Sequence, residues 1–277
     1  MKQIIYSYYQ HHLKVVTEGC GIKSKLCLLL NAFIRVPLFV VGGSSHKFNY
    51  IADKYLPEVT IKNKNGIFKC RKGSSDFLIT QEEGFERELT SYLTKKQSSV
   101  FVDIGANVGK YTIQMAIQIG NRGKVIAIEA DPENYEALVE NIRLNKLKNV
   151  YAFNVACWDK EEDVKLFIGS INKKAESSIK SEVSDRTVTV RGSTLDNILS
   201  GLGIKEVNIV KMDVEGAEKE VLLGMKETVS ASKNIEILFE AWNENYLIEC
   251  RKILQSYGLV VDDKEVDDRM YRARRVV

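Results

Sequence analysis

The stretch that most constrains the fold runs from residue 98 to 132, SSVFVDIGANVGKYTIQMAIQIGNRGKVIAIEADP. An apolar run over residues 99–104 stops at a glycine-rich turn, and an amphipathic segment then leads to a second apolar run, 124–128. The pattern predicts a buried strand, a turn, a helix and a second strand. Parallel sheets bind ligands at the carboxyl ends of their strands, where the turn and Glu129 lie. We therefore expect a site for a nucleoside-containing cofactor here.

Five residues of this stretch are candidates for that site. Gly105 and Gly109 allow tight backbone geometry and close approach of a ligand. The helix after the turn would present free N–H groups and a positive dipole end. Glu129 stands 129 − 109 = 20 residues after Gly109 and can accept two hydrogen bonds from a ribose diol. Asp103 and Asn107 bring side chains that can hydrogen-bond an amino acid moiety.

The turn reads Asp-x-Gly-x-Asn-x-Gly and differs from the Gly-x-Gly-x-x-Gly turn that holds a pyrophosphate. S-adenosylmethionine has an amino acid moiety and no phosphate, and its ammonium suits a carboxylate such as Asp103. The spacing therefore favours S-adenosylmethionine over NAD. A structural role for Asp103 as a cap of the loop is compatible with either cofactor.

The rest of the chain alternates strands and helices. Three further strands that would lie parallel to the first two are predicted over residues 150–153, 207–211 and 235–239. Two last strands over 259–261 and 270–276 read as a closing hairpin. We predict an α/β fold with a doubly wound, mostly parallel, seven-stranded sheet and an antiparallel last strand. That last strand is typical of the Rossmann-like class I methyltransferase sheet. An added hairpin over 164–168 and 187–191 is also predicted.

Three segments are predicted along the chain. Residues 1–54 form a basic helical extension, with seven Lys or Arg against two acidic residues, 7 − 2 = +5. Residues 55–97 form a β-hairpin and a helix that lead into the core. Residues 98–277 form the S-adenosylmethionine-binding domain.

Local signals place the elements of the first two segments. Helices are predicted over 4–16 and 22 to about 35, with Pro37 and Gly42-Gly43 ending the segment. The hairpin turn is predicted at Asn65-Gly66. A helix from about 84 to 94 follows.

Composition limits the classes of function. The net charge of +3 is too small to indicate a nucleic-acid partner. Five cysteines at scattered spacings fit reduced thiols and a cytoplasmic location better than disulfides or zinc. All three histidines precede residue 47, which disfavours histidine-based catalysis in the core. No signal peptide is evident, and the apolar run 26–41 is shorter than a membrane span. A buried helix is the main interpretation; weak contact of residues 1–42 with a membrane surface is the alternative.

A second group of acidic residues follows the predicted strand 207–211. Asp213, Glu215 and Glu218 stand within six residues at the carboxyl end of that strand. Such acids can simply favour a helix N-terminus, and this structural interpretation is preferred for Glu218. For Asp213 and Glu215 we favour a catalytic role.

Seven stretches carry a resemblance to a known family. They are Gly73-Ser-Ser-Asp76, Phe101-Val-Asp-Ile-Gly-Ala-Asn-Val-Gly109, Glu129-Ala-Asp-Pro132, Asn154-Val-Ala156, Ser193-Thr-Leu-Asp196, Lys211-Met-Asp-Val-Glu-Gly-Ala-Glu218 and Glu240. With them, residues 73–276 resemble the FkbM-type S-adenosylmethionine-dependent methyltransferases. The glycine turn by itself indicates only a class; its combination with the acidic run is fairly specific to the family.

The resemblance implies methyl transfer, most often to a hydroxyl of a sugar or other small metabolite. It places Asp103, Gly105, Asn107 and Gly109 at the methionine end of the cofactor and Glu129 at the ribose. It also implies that Asn154 and Ala156 lie near the adenine, that Asp213 and Glu215 face the methyl-transfer centre, and that Glu240 completes an acidic floor.

Alternatives remain open at this point. A carboxylate is the leading general base, Asp213 first and Glu215 second. A Mg²⁺ site formed by Asp213, Glu215 and Glu240 is less favoured. Other classes are an NAD-type oxidoreductase and a glycan- or membrane-associated binding module. The acceptor pocket is expected in residues 44–97 and 169–185; the acceptor and the oligomeric state are not indicated by the sequence.

Overall fold

The computed structural model describes residues 14–42, 55–81, 86–169, 177–179 and 186–275. These residues belong to two compact units, the first formed by 14–42 and 55–81 and the second by the remainder. Most of the helix predicted over residues 4–16 and most of the predicted acceptor segment 169–185 lie outside the described residues.

The first unit contains a long helix, a hairpin and a short helix. Helix α1 (Gly21–Gly42) continues past Pro37, so the prediction that the helix ends near residue 35 was wrong. A proline removes one backbone hydrogen bond, and this helix continues despite that loss. Strands β1 (Val59–Asn63) and β2 (Gly66–Cys70) pair antiparallel as predicted. Their two-residue turn begins one residue earlier than predicted, because Gly66 already pairs with Asn63.

The polar loop after β2 is fixed by a buried acid. Asp76 begins helix α2 (Asp76–Thr80) and is 1% exposed. Its carboxylate accepts hydrogen bonds from Arg71 Nε at 2.7 Å, Arg71 Nη2 at 2.8 Å and the Arg71 backbone N–H at 2.9 Å. The bidentate pair explains why the Gly73-Ser-Ser-Asp76 stretch needs an acid at its end.

The exposed side of α1 is apolar. Ile22, Leu26, Leu30 and Phe33 are 87%, 55%, 57% and 65% exposed and recur at helical spacing. Within the described part of the chain, no helix is both long and apolar enough to span a membrane. Contact of residues 1–42 with a membrane surface stays a prediction.

The second unit is built on a seven-stranded sheet. Its strands are β3 (Val100–Ile104), β4 (Lys124–Ile128), β5 (Val150–Phe153), β9 (Ile209–Met212), β10 (Glu236–Glu240), β11 (Val260–Val261) and β12 (Met270–Arg274), in the order β11-β12-β10-β9-β3-β4-β5. Strand β12 is antiparallel to both neighbours, whereas β10, β9, β3, β4 and β5 are parallel. The predicted fold class is confirmed.

Helices cover both faces of this sheet. They are α3 (Arg87–Thr94), α4 (Lys110–Ile119), α5 (Pro132–Leu144), α6 (Leu195–Gly201), α7 (Glu218–Leu223), α8 (Lys226–Ala231) and α9 (Glu244–Ser256). One buried cluster includes Val210, Val221 and Leu254, and another includes Phe101, Leu89 and Met115. Two layers of apolar side chains therefore fix the sheet between helices.

A smaller sheet flanks the second unit. It contains β6 (Ala156–Cys157), β7 (Asp163–Phe167) and β8 (Thr187–Ser193) in the order β6-β8-β7. The predicted hairpin of β7 and β8 is present, and β6 adds a parallel strand to it.

Candidate active site

The candidate site lies where β3 and β9 end side by side. Asp103 and Lys211 are register partners, as are Ile104 and Met212. The Asp213 N–H then donates to Ile104 O at 3.0 Å, which extends the pairing by one residue. The glycine turn and the acidic run, far apart in sequence, are thus adjacent at the carboxyl edge of the sheet.

The glycines of the turn are required by the protein's own packing. Gly105 has φ +72°, and a Cβ there would lie 1.8 Å from Asp213 O. Gly109 has φ +94°, and a Cβ there would lie 2.7 Å from Leu138 Cδ1. Any larger residue at position 105 would therefore separate the ends of β3 and β9.

The N–H groups of the turn are already bonded within the protein. Those of Gly105 and Ala106 donate to Ile128 O at 2.9 and 3.1 Å, and that of Gly109 donates to Ala106 O at 2.9 Å. The Asn107 N–H donates to Glu129 Oε2 at 2.7 Å. We expected free N–H groups at this turn, and for these four residues that expectation was wrong. All four precede helix α4, which begins at Lys110, and their N–H groups bond to the turn itself and to β4 and Glu129. A pyrophosphate would have to compete with all four bonds.

Glu129 closes the turn onto β4. Its Oε2 accepts from Asn107 and its Oε1 accepts from the Asp131 N–H at 2.8 Å. The residue is 7% exposed, and burial raises the pKa of its carboxyl to about 7. The two hydrogen bonds act in the opposite direction and lower this pKa, but burial outweighs them. Each carboxylate oxygen has a second lone pair, so two acceptor positions remain.

Asp103 is an internal charge. It is 0% exposed, and Oδ2 accepts from Thr112 Oγ1 at 2.6 Å. Oδ1 is buried without a hydrogen-bond partner and lies 3.7 Å from Lys211 Nζ. Burial raises the pKa of this carboxyl although Lys211 opposes the shift.

Lys211 is a residue that we had not singled out for a role. It is 3% exposed; its Nζ lies 3.7 Å from Asp213 Oδ2 and donates to Gly105 O at 3.3 Å. Burial acts to lower its pKa, but Asp213 and Asp103 outweigh burial and raise it. A lysine directly after the apolar pair Ile209-Val210 of this strand was the available signal. It bridges the turn and both acids.

The acidic run places its members in different environments. The Asp213 side chain is 28% exposed. Glu215 has φ +53°, and its carbonyl accepts from Ser178 Oγ at 2.8 Å. Glu218 is 0% exposed; its Oε1 accepts from the Val214 N–H at 3.1 Å and its Oε2 lies 2.9 Å from the Tyr246 hydroxyl. Burial raises the pKa of Glu218 to about 7. Its inward position agrees with the structural interpretation.

Glu240 ends β10 beside Asp213. It is 8% exposed, and its Oε1 forms an ion pair with Arg269 Nη2 at 2.9 Å. Burial, followed by the charge of Asp213, raises the pKa of Glu240 to about 7 although Arg269 lowers it.

Glu86, a second residue that the sequence did not mark, interacts with Lys211 through its charge. Glu86 Oε2 accepts from the Tyr111 hydroxyl at 2.7 Å and lies 4.0 Å from Lys110 Nζ. Burial, then Asp213, raises the pKa of Glu86, and burial lowers the pKa of Lys110 to about 8. Glu86 stands among three other acids in Glu82-Glu-Gly-Phe-Glu-Arg-Glu88, so the sequence offered no signal for it.

Asn154 and Ala156 lie beyond β5. Asn154 Nδ2 donates to Glu129 O at 2.9 Å and Ala130 O at 3.1 Å, which ties the end of β5 to that of β4. Ala156 is buried in β6 and pairs with Gly192. In the described part of the chain, no group of three or more His, Cys, Asp or Glu is arranged to hold a metal ion.

The sheet order, with β12 inserted antiparallel beside β10, and an acid-rich site at the glycine turn define a Rossmann-like class I methyltransferase. The family described as "Methyltransferase FkbM domain" matches residues 103–270, 168 of 277 residues. The chain belongs to this family of S-adenosylmethionine-dependent methyltransferases. The suspected family and cofactor are confirmed.

Three curated relatives show the range of similar proteins. The 2-O-methyltransferase NoeI of Sinorhizobium fredii is 27% identical, over 54% of this chain and 66% of NoeI. A tRNA(Phe) (4-demethylwyosine(37)-C(7)) aminocarboxypropyltransferase of Pyrococcus horikoshii is 34% identical, over 53% of this chain and 49% of that protein. The hexuronic acid methyltransferase AglP of Haloferax volcanii is 25% identical, over 64% of this chain and 67% of AglP. The chain spans less than two thirds of the length of NoeI and of the Pyrococcus protein.

The residues present fit this cofactor. Glu129 retains two acceptor positions, and the fully buried Asp103, whose Oδ1 has no hydrogen bond, adds negative charge behind the turn without contacting the cofactor. Gly105, Asn107 and Asp213 keep part of their surface exposed at the same edge. Carboxylates suit the ammonium, the positive sulfur and the ribose hydroxyls of S-adenosylmethionine, and none of these needs the N–H groups that the turn has already used.

Proposed function

We propose that this chain transfers the methyl group of S-adenosylmethionine to a hydroxyl of a sugar or other small metabolite. The observation that carries the proposal is the position of Asp213. Its carboxylate is 28% exposed at the end of β9, 3.7 Å from a buried lysine and directly beside the glycine turn. A carboxylate in that position can accept a proton next to the bound cofactor.

The cofactor supplies a methyl group already activated by a positive sulfur. We propose that Asp103, Gly105, Asn107 and Gly109 hold its methionine end. Asp103 contributes through Lys211 and the turn, since it is itself fully buried. The two remaining acceptor positions of Glu129 receive the ribose hydroxyls.

The adenine is proposed to lie along Asn154 and Ala156. Asn154 is exposed and would contact the adenine, whereas Ala156 is buried in β6 and would lie behind Asn154.

An alcohol is a poor nucleophile at neutral pH, so a nearby proton acceptor assists the transfer. Asp213 is the proposed base. Lys211 fixes its orientation, and Asp103 with Thr112 fixes Lys211. Glu215 is the second candidate because it is partly exposed two residues further on.

The relatives support hydroxyl methylation unequally. The names of NoeI and AglP describe a 2-O-methyltransferase and a hexuronic acid methyltransferase, and both support a sugar-like acceptor. The Pyrococcus relative is named for the transfer of an aminocarboxypropyl group to tRNA. The site residues, rather than the relatives' names, must therefore decide the acceptor.

The test is methyl transfer from labelled S-adenosylmethionine to a panel of sugars, nucleosides and phenols, with Asp213→Asn beside the wild type. We expect Asp213→Asn to bind S-adenosylmethionine by calorimetry but to lose about 10²–10⁴-fold in kcat. Asp163→Asn, an exposed acid at the start of β7, is the matched control and should behave as wild type.

Three results would contradict parts of the proposal. Unchanged turnover in Asp213→Asn would remove the base assignment. Loss of cofactor binding in that variant would make Asp213 a cofactor ligand instead. Loss of activity with EDTA would show that a metal ion takes part.

A further inference from the structure

Beyond Asp213, the carboxyl edge of the sheet continues onto β10 and then β12. Phe239 pairs with Met212, so Glu240 follows Asp213 across the edge. Glu240 pairs with Met270, and the Ala241 N–H donates to Arg269 O at 3.0 Å. The order across this edge is therefore the glycine turn, Asp213, Glu240 and Arg269.

Arg269 connects a buried acid to an exposed aromatic ring. Its guanidinium carbon lies 5.1 Å from the centre of the Trp242 ring, while Nη2 lies 2.9 Å from Glu240 Oε1. Trp242 is 48% exposed and the Arg269 side chain 43%, whereas the Glu240 side chain is 10% exposed. An apolar ring face, a hydrogen-bond donor and a hydrogen-bond acceptor thus stand together next to the proposed base.

Arg269 is held in an unfavourable backbone conformation. Its φ is +56°, a left-handed value that non-glycine residues rarely adopt. Its N–H donates to Glu265 Oε2 at 3.2 Å, and its carbonyl accepts from Ala241. Strain of this kind is found at ligand sites, where the side chain has a use that glycine could not supply.

We propose that Trp242, Arg269 and Glu240 form the acceptor subsite and that this subsite takes a neutral sugar ring. The proposal rests on the proposed methyl transfer to a hydroxyl and names its substrate class. The C–H groups of a pyranose ring pack against the face of the indole that Arg269 does not cover. The remaining guanidinium N–H groups and the Glu240 carboxylate hydrogen-bond its hydroxyls, which directs one of them towards Asp213.

The surrounding charges favour a neutral sugar over an acidic one. The charge of Arg269 is already balanced by Glu240 and by Asp268, whose Oδ2 lies 3.8 Å from Nε. The negative charges of Asp213 and Glu218 also act on Glu240, and the positive charge of Lys211 opposes them. The carboxylate of an acidic sugar would therefore be repelled by a net negative surface. The hydroxyl groups of a neutral sugar can instead donate hydrogen bonds to these carboxylates.

The first experiment measures binding without requiring catalysis. The chain has two tryptophans, and Trp158 is 9% exposed, so acrylamide quenching reports mainly on Trp242. With S-adenosylhomocysteine present, methyl pyranosides of glucose, galactose and mannose are added, with methyl glucuronoside as the acidic comparison. We expect at least one neutral pyranoside to protect Trp242 at lower concentration than the glucuronoside does.

The second experiment compares kinetics in Trp242→Ala, Trp242→Phe and Tyr151→Ala. Tyr151 is the matched control, an exposed ring on β5 with Lys124 Nζ 5.5 Å from its centre, at the other end of the sheet. Trp242→Ala should raise KM for the sugar about tenfold with little change in kcat, and Trp242→Phe should recover part of the loss. S-adenosylmethionine binding should be unchanged in all three.

The outcomes separate this inference from methyl transfer itself. Sugar methylation with equal KM in Trp242→Ala and wild type would overturn the subsite and leave the methyltransferase proposal standing. Protection of Trp242 without methylation of any sugar would support the subsite and count against the proposed reaction. Failure of every pyranoside to protect Trp242, or preference for the glucuronoside, would overturn the neutral-sugar subsite.

Discussion

At residue 105 the space for a side chain is filled by the carbonyl oxygen of Asp213. The close approach brings the residue that we propose as base against the turn that we propose as cofactor cradle. A glycine that the sequence pattern links to a ligand is therefore needed first for contact between two strand ends, and cofactor and base are positioned by one backbone contact.

We expect Gly105→Ala to lower the free energy of unfolding by about 3 kcal/mol or more, because backbone must move by more than 1 Å to admit the methyl group. Gly203→Ala is the matched control: its φ is also positive, +66°, but nothing lies within 4 Å of the added Cβ. That change should cost only about 1 kcal/mol. Urea unfolding of both variants measures the difference, and equal losses would show that backbone conformation alone explains position 105.

Individual site residues were predictable where a turn or strand end marked them. Asp103, Gly105 and Glu129 end or follow strands with clear apolar patterns, and the structure brings them together. Lys211 was less visible because its role depends on which strand lies beside β9. Glu86 could not be found, since only the packing of Tyr111 and Lys110 distinguishes it from the acids around it.

At the scale of elements, one acid in the first turn of α6 caps the start of α8. Thr194 Oγ1 accepts from the Asn197 N–H at 3.1 Å and caps α6. Asp196, in the first turn of α6, accepts from the Glu227 and Thr228 N–H groups at 3.0 and 2.8 Å at the start of α8. The Ser193-Thr-Leu-Asp196 stretch thereby couples two helices that are separate in sequence.

Asp196→Ala should lower the free energy of unfolding by about 1–2 kcal/mol, because α8 loses the acceptor for its first N–H groups. Asp196→Asn keeps one acceptor oxygen and should lose less. Asp159→Ala, an exposed acid in the turn after β6, serves as the control. Thermal unfolding measures all three, and equal stability of Asp196→Ala and Asp159→Ala would contradict the capping role.

Elements were predictable in proportion to their local signals. The five parallel strands follow from apolar runs that stop at turns. Helix α8 was missed because its cap comes from a residue 31 positions earlier. Strand β6 has only two residues, which is too short for a sequence pattern, and it pairs with β8, a strand distant in sequence.

At the scale of the whole molecule, three buried carboxyl groups make stability depend on pH. The pKa values of Glu129, Glu218 and Glu240 are each raised to about 7, chiefly by burial. Between the ordinary value of 4.5 and about 7, the folded chain holds more protons than the unfolded chain. Their contribution to stability is therefore greatest below pH 4.5 and is lost as pH rises through 7.

Glu218→Gln should make the free energy of unfolding less dependent on pH between about 5 and 7, by at most about 1.4 kcal/mol per pH unit. Exposed Glu244, in the first turn of α9, gives the matched control Glu244→Gln with the same change of charge. Denaturant titrations at three pH values measure the slope. A slope as steep in Glu218→Gln as in the wild type would show that Glu218 is ionised throughout that range.

The reversed direction of β12 has a consequence for how such an enzyme can diversify. Because β12 is antiparallel, its beginning rather than its end reaches the edge where the parallel strands finish, whereas β11 runs towards that edge but ends opposite Ala273. The eight residues 262–269 connect the two strands and end at Arg269 in the proposed acceptor subsite, while the cofactor turn belongs to β3, two strands beyond β10. Changes in length or composition of this loop can alter acceptor choice and leave the cofactor half intact.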